Sequence, residues 1–289
     1  MPPSPSKDED AAPAAGYARL PVQRWRDGDG AIGDDYLAEE VPVALIYNGQ
    51  PHVVMMATPS DLEAFAIGFS LSEAIVTRPD EVTVRAITTH DNGYEIALQI
   101  PEARHAALAD RRRNLVGRSG CGLCGSETIA EAMRPPRRVP AGLVIETTAL
   151  VIALDALRAQ QTINGLTGAT HAAAWAEPDG SLRAVCEDVG RHNALDKLIG
   201  TLVQQGLDPS RGFAVITSRA SYEMVLKAST VGIPMVVAIS APTALAVRLA
   251  EEAGLTLVGF ARARNHVVYA CPARLNHPIQ TQPLETRPV

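Results

Sequence analysis

The chain has 289 residues, of which 46% are apolar, enough for a sizeable core organised as one large or two modest domains. A formal net charge of −6 argues against general affinity for nucleic acid, and no apolar run is long enough to span a bilayer. The opening residues, with Pro2, Pro3, Pro5 and Asp8-Glu9-Asp10, lack the charged-then-apolar order of a secretory signal, so the expected location is the cytoplasm, with no membrane partner.

Residues 1–16, rich in Pro, Ala and charge without apolar period, read as a disordered tail. Two β-rich runs, 41–47 and 52–58, flank Asn48-Gly49-Gln50-Pro51, a hairpin signal. A helix follows, with Ser60 or Asp61 as N-cap, Glu63 placed for a capping box on Ser60, and Leu62, Phe65, Ala66 and Phe69 on one face. A second hairpin joins 82–88 to 94–100 through Asp91-Asn92-Gly93, which makes 17–116 a small β-rich α+β module. A basic loop, 117–138, comes next. A helix over 150–161 and a hairpin of 172–176 with 182–187 through Pro178-Asp179-Gly180 open a larger region, 139–271.

That region then alternates: a helix marked by Leu195, Leu198, Ile199 and Leu202, a strand at 213–216, a helix at 222–230, a strand at 234–239, a helix at 244–253 and a strand at 255–260. The continuous apolar run Met235-Val236-Val237-Ala238-Ile239 suits a strand covered on both faces, so the fold class is α/β with a largely parallel sheet. Ligands of such sheets collect beyond the carboxyl ends of strands, here the turns near 188–193, 217–221, 240–243 and 260–265. Residues 272–289, with four prolines, read as a second disordered tail.

The four cysteines, Cys121, Cys124, Cys186 and Cys271, are too few for a disulfide scaffold. Cys186 and Cys271 are isolated and suit packing. Cys121 and Cys124 form a CxxC inside a basic stretch in which eight arginines between Arg104 and Arg138 face Asp110, Glu127 and Glu131, an excess of five positive charges. Nearby cations favour thiolate over thiol, and a helix over Ser126 to Met133 would add its N-terminal amides. Gly117, Gly120, Gly122 and Gly125 leave little bulk to shield the sulfurs. Structural zinc lacks a second pair of ligands, and a zinc deaminase lacks the His-x-Glu and Pro-Cys parts of its signature. A thioredoxin-like dithiol would sit after an early strand of a βαβ unit, not behind an arginine run.

Ser119-Gly120-Cys121-Gly122-Leu123-Cys124-Gly125, Thr167-Gly168-Ala169-Thr170-His171, the stretch from Glu187 through Gly190-Arg191-His192-Asn193 to Lys197, Ser218-Arg219-Ala220-Ser221-Tyr222-Glu223-Met224 and Gly259 to Asn265 follow one another in the order found in a known family. Together they resemble the FdhD family of formate dehydrogenase accessory sulfurtransferases, from about residue 40 to 270. The resemblance implies a cytidine deaminase-like fold for the larger region. It also implies a cysteine desulfurase that passes sulfur to Cys121, and a bound bis-molybdopterin guanine dinucleotide molybdenum cofactor that receives it for formate dehydrogenase. Cys124 would relay or release that sulfur, or support the thiolate.

The family's cofactor-contacting segment falls on Phe260, Ala261, Arg262, Ala263, Arg264 and Asn265. There Arg262 and Arg264 could pair with pyrophosphate and Asn265 could read a guanine or pterin edge. Taken alone, Phe260 could equally pack in the core, and the arginines could be a solvated turn. Arg191 and His192, and likewise Ser218, Arg219 and Ser221, stand at helix starts that suit an anion or a simple cap. His171 and His192 stay open between structural and catalytic roles. A homodimer is also implied by the resemblance. The rival function is a cofactor-binding insertion chaperone without sulfur chemistry.

Overall fold

The computed structural model describes residues 16–113 and 134–276. Its first element is a hairpin that the reading above did not anticipate: β1 (Tyr17–Arg26) pairs antiparallel with β2 (Asp29–Ala38). Asp27 and Gly28 form the turn with φ of 51° and 97°, the double left-handed conformation of a two-residue hairpin. The hairpin leaves Trp25 and Ile32 70% and 85% exposed.

Strands β3 (Val41–Tyr47), β4 (Gln50–Ala57), β5 (Thr83–His90) and β6 (Gly93–Gln99) make a four-stranded sheet in the order β4-β3-β6-β5, antiparallel except for the β3–β6 pair. The β3–β4 turn is Asn48-Gly49, again with positive φ at both residues. Helix α1 (Leu62–Ser72) follows β4 and α2 (Glu102–Arg113) follows β6. The expected capping at the start of α1 is not used. Asp61 sits there in left-handed conformation without a side-chain cap, and Ser60 Oγ instead accepts from Lys197 Nζ at 3.3 Å.

The second half contains β7 (Ile145–Glu146), α3 (Thr147–Gln160), α4 (Thr162–Thr167), β8 (His171–Ala176), β9 (Leu182–Asp188), α5 (Arg191–Gln204) and β10 (Phe213–Ile216). It continues with α6 (Tyr222–Thr230), β11 (Met235–Ala238), α7 (Ala244–Ala253), β12 (Thr256–Arg262), β13 (Asn265–Ala270) and β14 (Leu275–Asn276). The main sheet has the order β13-β12-β11-β10-β8-β9. Only β10–β11 and β11–β12 are parallel; the other three pairings are antiparallel. The fold is α/β as expected, but the sheet is mixed rather than largely parallel. Hairpins at both margins add strands without a crossover helix. Strand β14 pairs with β7 and begins inside the segment read as a disordered tail.

Alternate residues of the central strands enter separate cores, which explains their unbroken apolar character. Ala172, Ala174, Phe213, Val215, Met235 and Val237 pack with α3, while Ala173, Trp175, Ala214, Ile216, Val236 and Ala238 face the helices α5, α6 and α7. The second core is continuous with Val43, Leu45, Phe65, Ile96 and Leu98, so the small sheet and the large one share it through α1. Helices α1 and α5 touch backbone to backbone. A methyl at Gly68 would fall 1.7 Å from the Asp196 carbonyl oxygen, and one at Gly200 would fall 1.8 Å from that of Ala64.

Candidate functional site

One edge of the main sheet collects the carboxyl ends of β9, β10, β11 and β12 and the start of antiparallel β8. Hydrogen bonds tie its loops into a row. Thr217 N donates to Ala172 O at 3.0 Å, Ile239 N to Ile216 O at 3.0 Å, Thr243 N to Ala220 O at 3.0 Å and Phe260 N to Ser240 O at 3.2 Å. His171 stands opposite Asp188 in the β8–β9 register. The four turns picked out by the sheet-edge rule therefore lie side by side.

Within the stretch from Glu187 to Lys197, side chains divide by direction. Glu187 accepts from the backbone N–H groups of Ile163 and Asn164 at 2.9 and 2.8 Å and from Thr170 Oγ1 at 3.0 Å, holding the start of α4. Asp188 is fully buried and forms an ion pair with the equally buried Lys197 at 2.8 Å. Its remaining valences take the N–H of Thr58 and Gly190 and the amide of Asn193, at 2.7 to 3.0 Å. Lys197 also donates to the carbonyls of Thr58 and Glu187, and Asn193 to that of Met56. A buried charge pair this fully hydrogen-bonded is a structural joint between the two sheets.

Arg191 and His192 point the other way, half-buried at the start of α5. His192 Nε2 lies 2.7 Å from Glu223 Oε2, an ion pair by distance although the ring N–H is not aimed well enough to count as a hydrogen bond. Arg191 approaches the same carboxylate at 3.9 Å. The contact with His192 holds the Glu223 carboxyl below the usual range. Burial, then the neighbouring charges of Arg191 and His192, lower the pKa of His171, favouring its neutral form. Glu223 was not singled out from the sequence, although it lies one residue past Tyr222 in a recognised motif. At the start of α6, Ser221 does not cap the helix, and its buried Oγ has no hydrogen-bond partner among the described residues. Such an atom calls for an external partner.

The turn between β12 and β13 carries the expected cofactor segment. Phe260 is 46% exposed with φ of 50°, a strained conformation for an aromatic residue, and so does not pack in the core. Ala261 faces the core instead, fully buried. Arg262 donates from Nε to Ile239 O at 3.2 Å, and with Arg264, Asn265 and the neighbouring loop's Arg219 it is exposed. Gly259 keeps this turn close to the next loop, since a Cβ there would come 2.8 Å from Pro242 Cδ.

Cys121, Cys124 and the expected helix from Ser126 to Met133 lie outside the described residues. The basic stretch re-enters at Arg134, which donates to the Glu73 carbonyl at 3.0 Å and to its carboxylate at 2.7 Å, while Tyr222 Oη donates to Arg134 O at 3.1 Å. Glu73 also pairs with Lys227 at 2.9 Å, and Lys227 with Asp196 at 2.9 Å. Burial would raise the Glu73 carboxyl, but Lys227 and Arg134 outweigh it and bring the pKa to about 2. Lys227 opposes its own burial with Asp196 and Glu73 and stays protonated. Burial pushes the Cys186 thiol up to about 11, and burial with Glu251 raises that of Cys271, so neither is a ready nucleophile. Among the described residues no group of His, Cys, Asp and Glu is arranged to hold a metal ion.

The profile of the FdhD/NarQ family matches residues 38–276. A relative named sulfur carrier protein FdhD, from Xanthomonas euvesicatoria pv. vesicatoria, is 57% identical over 255 residues, covering 88% of this chain and 91% of its own. One of the same name from Cupriavidus necator is 52% identical over 273 residues, covering 94% of each chain. The fold is similar to the crystal structure of a candidate formate dehydrogenase accessory protein from Desulfotalea psychrophila, with a TM-score of 0.73 at 23% identity, over 90% of this chain and 100% of that one.

Proposed function

The chain belongs to the FdhD/NarQ family, and from that premise we propose that it is a sulfurtransferase: a sulfur carrier that takes persulfide sulfur from a cysteine desulfurase onto Cys121 and passes it to the bis-molybdopterin guanine dinucleotide molybdenum cofactor destined for formate dehydrogenase. The observation that carries this reading is the name shared by relatives more than half identical, sulfur carrier protein. The site chemistry supports it. The acceptor is a substrate bearing pyrophosphate groups, and the loop row presents Arg219, Arg262 and Arg264 to solvent, Arg191 and His192 beside them, and the Ser221 Oγ, which has no hydrogen-bond partner among the described residues. Those donors suit a polyanion, with guanidinium groups taking phosphate oxygens in pairs.

In the loading step the Cys121 thiolate attacks the outer sulfur of the donor's persulfide. The donor S–S bond breaks, its cysteine leaves as thiolate, and the new S–S bond carries the sulfur on Cys121. In one route of release, Cys124 attacks the inner sulfur, freeing hydrosulfide and leaving a Cys121–Cys124 disulfide that an external thiol reduces. Arg262 and Arg264 hold the acceptor's phosphates in the meantime.

The test is the intact mass of the protein after incubation with a cysteine desulfurase and cysteine. One added sulfur is expected on wild type and on Cys124→Ala, and none on Cys121→Ala; retained label on Cys121→Ala refutes the assignment. If the variant lacking both thiols still matured an active dehydrogenase, the chaperone reading would replace this one.

A further inference from the structure

Away from the loop row, the C-terminal ends of α1, α5 and α6 enclose a groove of about 820 Å³. Its floor is apolar, from Leu71, Ile199, Leu202, Val203, Leu207 and Leu226. The polar side chains of its helical walls are satisfied within their own helix, Ser229 Oγ and Thr230 Oγ1 both donating to Leu226 O. A small-molecule pocket needs a few convergent polar groups to orient its ligand, and this floor offers none. It suits the apolar face of a helix.

The rim is cationic. Arg134, Arg137 and Arg138 line it, and among the described residues no carboxylate does. Arg134 is already paired with the Glu73 carboxylate at 2.7 Å, and Arg137 donates to the Thr230 carbonyl at the end of α6. Arg138 is exposed and has no hydrogen bond or ion pair among the described residues. With Arg134 neutralised, the charges of Arg137 and Arg138 still exceed the roughly half a negative charge that each of the three helix C-termini contributes. An occupant with Asp or Glu flanking an apolar stripe is therefore favoured.

Position says which protein brings it. Cys124 is ten residues before Arg134 in the sequence, a span of at most about 35 Å, so whatever docks here is within reach of the thiols. Helix α5 begins at the loop row and runs about 20 Å to the groove, which leaves the acceptor's surface free. We propose that the groove seats an acidic, apolar-faced segment of the sulfur-donating protein, an assignment that rests on the sulfur-carrier reading.

The experiment measures sulfur loading of the full chain from increasing concentrations of a persulfidated cysteine desulfurase, and in parallel from inorganic polysulfide. Val203→Glu, on the groove floor, is expected to raise the half-saturating donor concentration about tenfold while polysulfide loads it at the wild-type rate. Arg138→Glu is expected to raise the donor concentration and to flatten its salt dependence. If Val203→Glu loses its folded circular dichroism, Arg138→Glu decides alone. Wild-type saturation by the donor in both variants overturns the proposal. So does a change in sedimentation mass with unchanged donor saturation, which would make the groove a contact between copies of this chain. Failure of both the donor and polysulfide to load wild type overturns the sulfur-carrier reading itself, and this assignment with it.

Discussion

Replacing Gly200 by alanine tests the packing that fixes the two sheets relative to one another. The new methyl would meet the Ala64 carbonyl at 1.8 Å from its oxygen and 2.5 Å from its carbon, where ordinary van der Waals contact begins near 3.4 Å. No rotamer change relieves a clash with backbone, so α1 and α5 must part by about 1.5 Å along a contact that is otherwise close-packed. Overpacking of this kind costs about 3 kcal/mol, and alanine's better helix propensity returns about 1 kcal/mol. The net loss of about 2 kcal/mol corresponds to a fall in melting temperature of roughly 4 to 8 °C for a chain of this size. Thermal unfolding by calorimetry at constant pH measures it. Gly165→Ala is the control, since Gly165 lies within α4 with nothing within 4 Å of the added methyl; it should be neutral or gain up to about 1 kcal/mol. A Gly200→Ala protein melting no lower than wild type would refute the close approach of the two helices.

Lys197→Met strands the buried Asp188 carboxylate and should cost about 3 to 5 kcal/mol in denaturant unfolding, part of which the added change Asp188→Asn restores; an unchanged midpoint would show that the pair is not buried as described. The Glu73 carboxyl, brought from 4.5 to about 2 in the folded chain, contributes stability that is present above pH 4.5 and lost as pH falls toward 2. Because the group is partly exposed, that contribution is on the order of 1 kcal/mol, and Glu73→Gln should flatten the acid limb of the stability profile over that window alone. Arg262→Glu with Arg264→Glu should weaken guanosine diphosphate, a fragment of the proposed acceptor, by about tenfold in titration calorimetry and reduce its salt dependence; equal affinity would move the nucleotide away from the β12–β13 turn.

Much of this molecule can be read from residue pattern, and where reading fails the reason is local. Apolar runs such as Met235 to Ile239 identify strands buried on both faces, and Asn48-Gly49 marks its hairpin because both residues accept positive φ. The same chemistry at Asp27-Gly28 was available but is flanked by weak alternation, since a hairpin with so much exposed surface shows little core-facing period. Strand direction is not written in hydrophobicity, which is why a mixed sheet reads as a parallel one. The sheet-edge rule located the loop row, but the motif from Glu187 to Lys197 gave no hint that Asp188, Asn193 and Lys197 turn inward while Arg191 and His192 turn outward. Their contacts are with Met56, Thr58 and Glu223, residues far away in sequence. The Ser60 cap failed for the same kind of reason: a distant ammonium competed for its hydroxyl.

The joint formed by Thr58, Asp188 and Lys197 has a consequence for recombination between relatives. A crossover placed anywhere between residues 73 and 147 would take α1 from one parent and α5 from the other, so the hybrid sets Thr58 of one parent against the Asp188–Lys197 ion pair of the other and joins mismatched halves of a glycine-to-carbonyl seam. Viable chimeras should therefore be those in which these two helices travel together, while the loops along the ligand-facing edge can be exchanged one at a time.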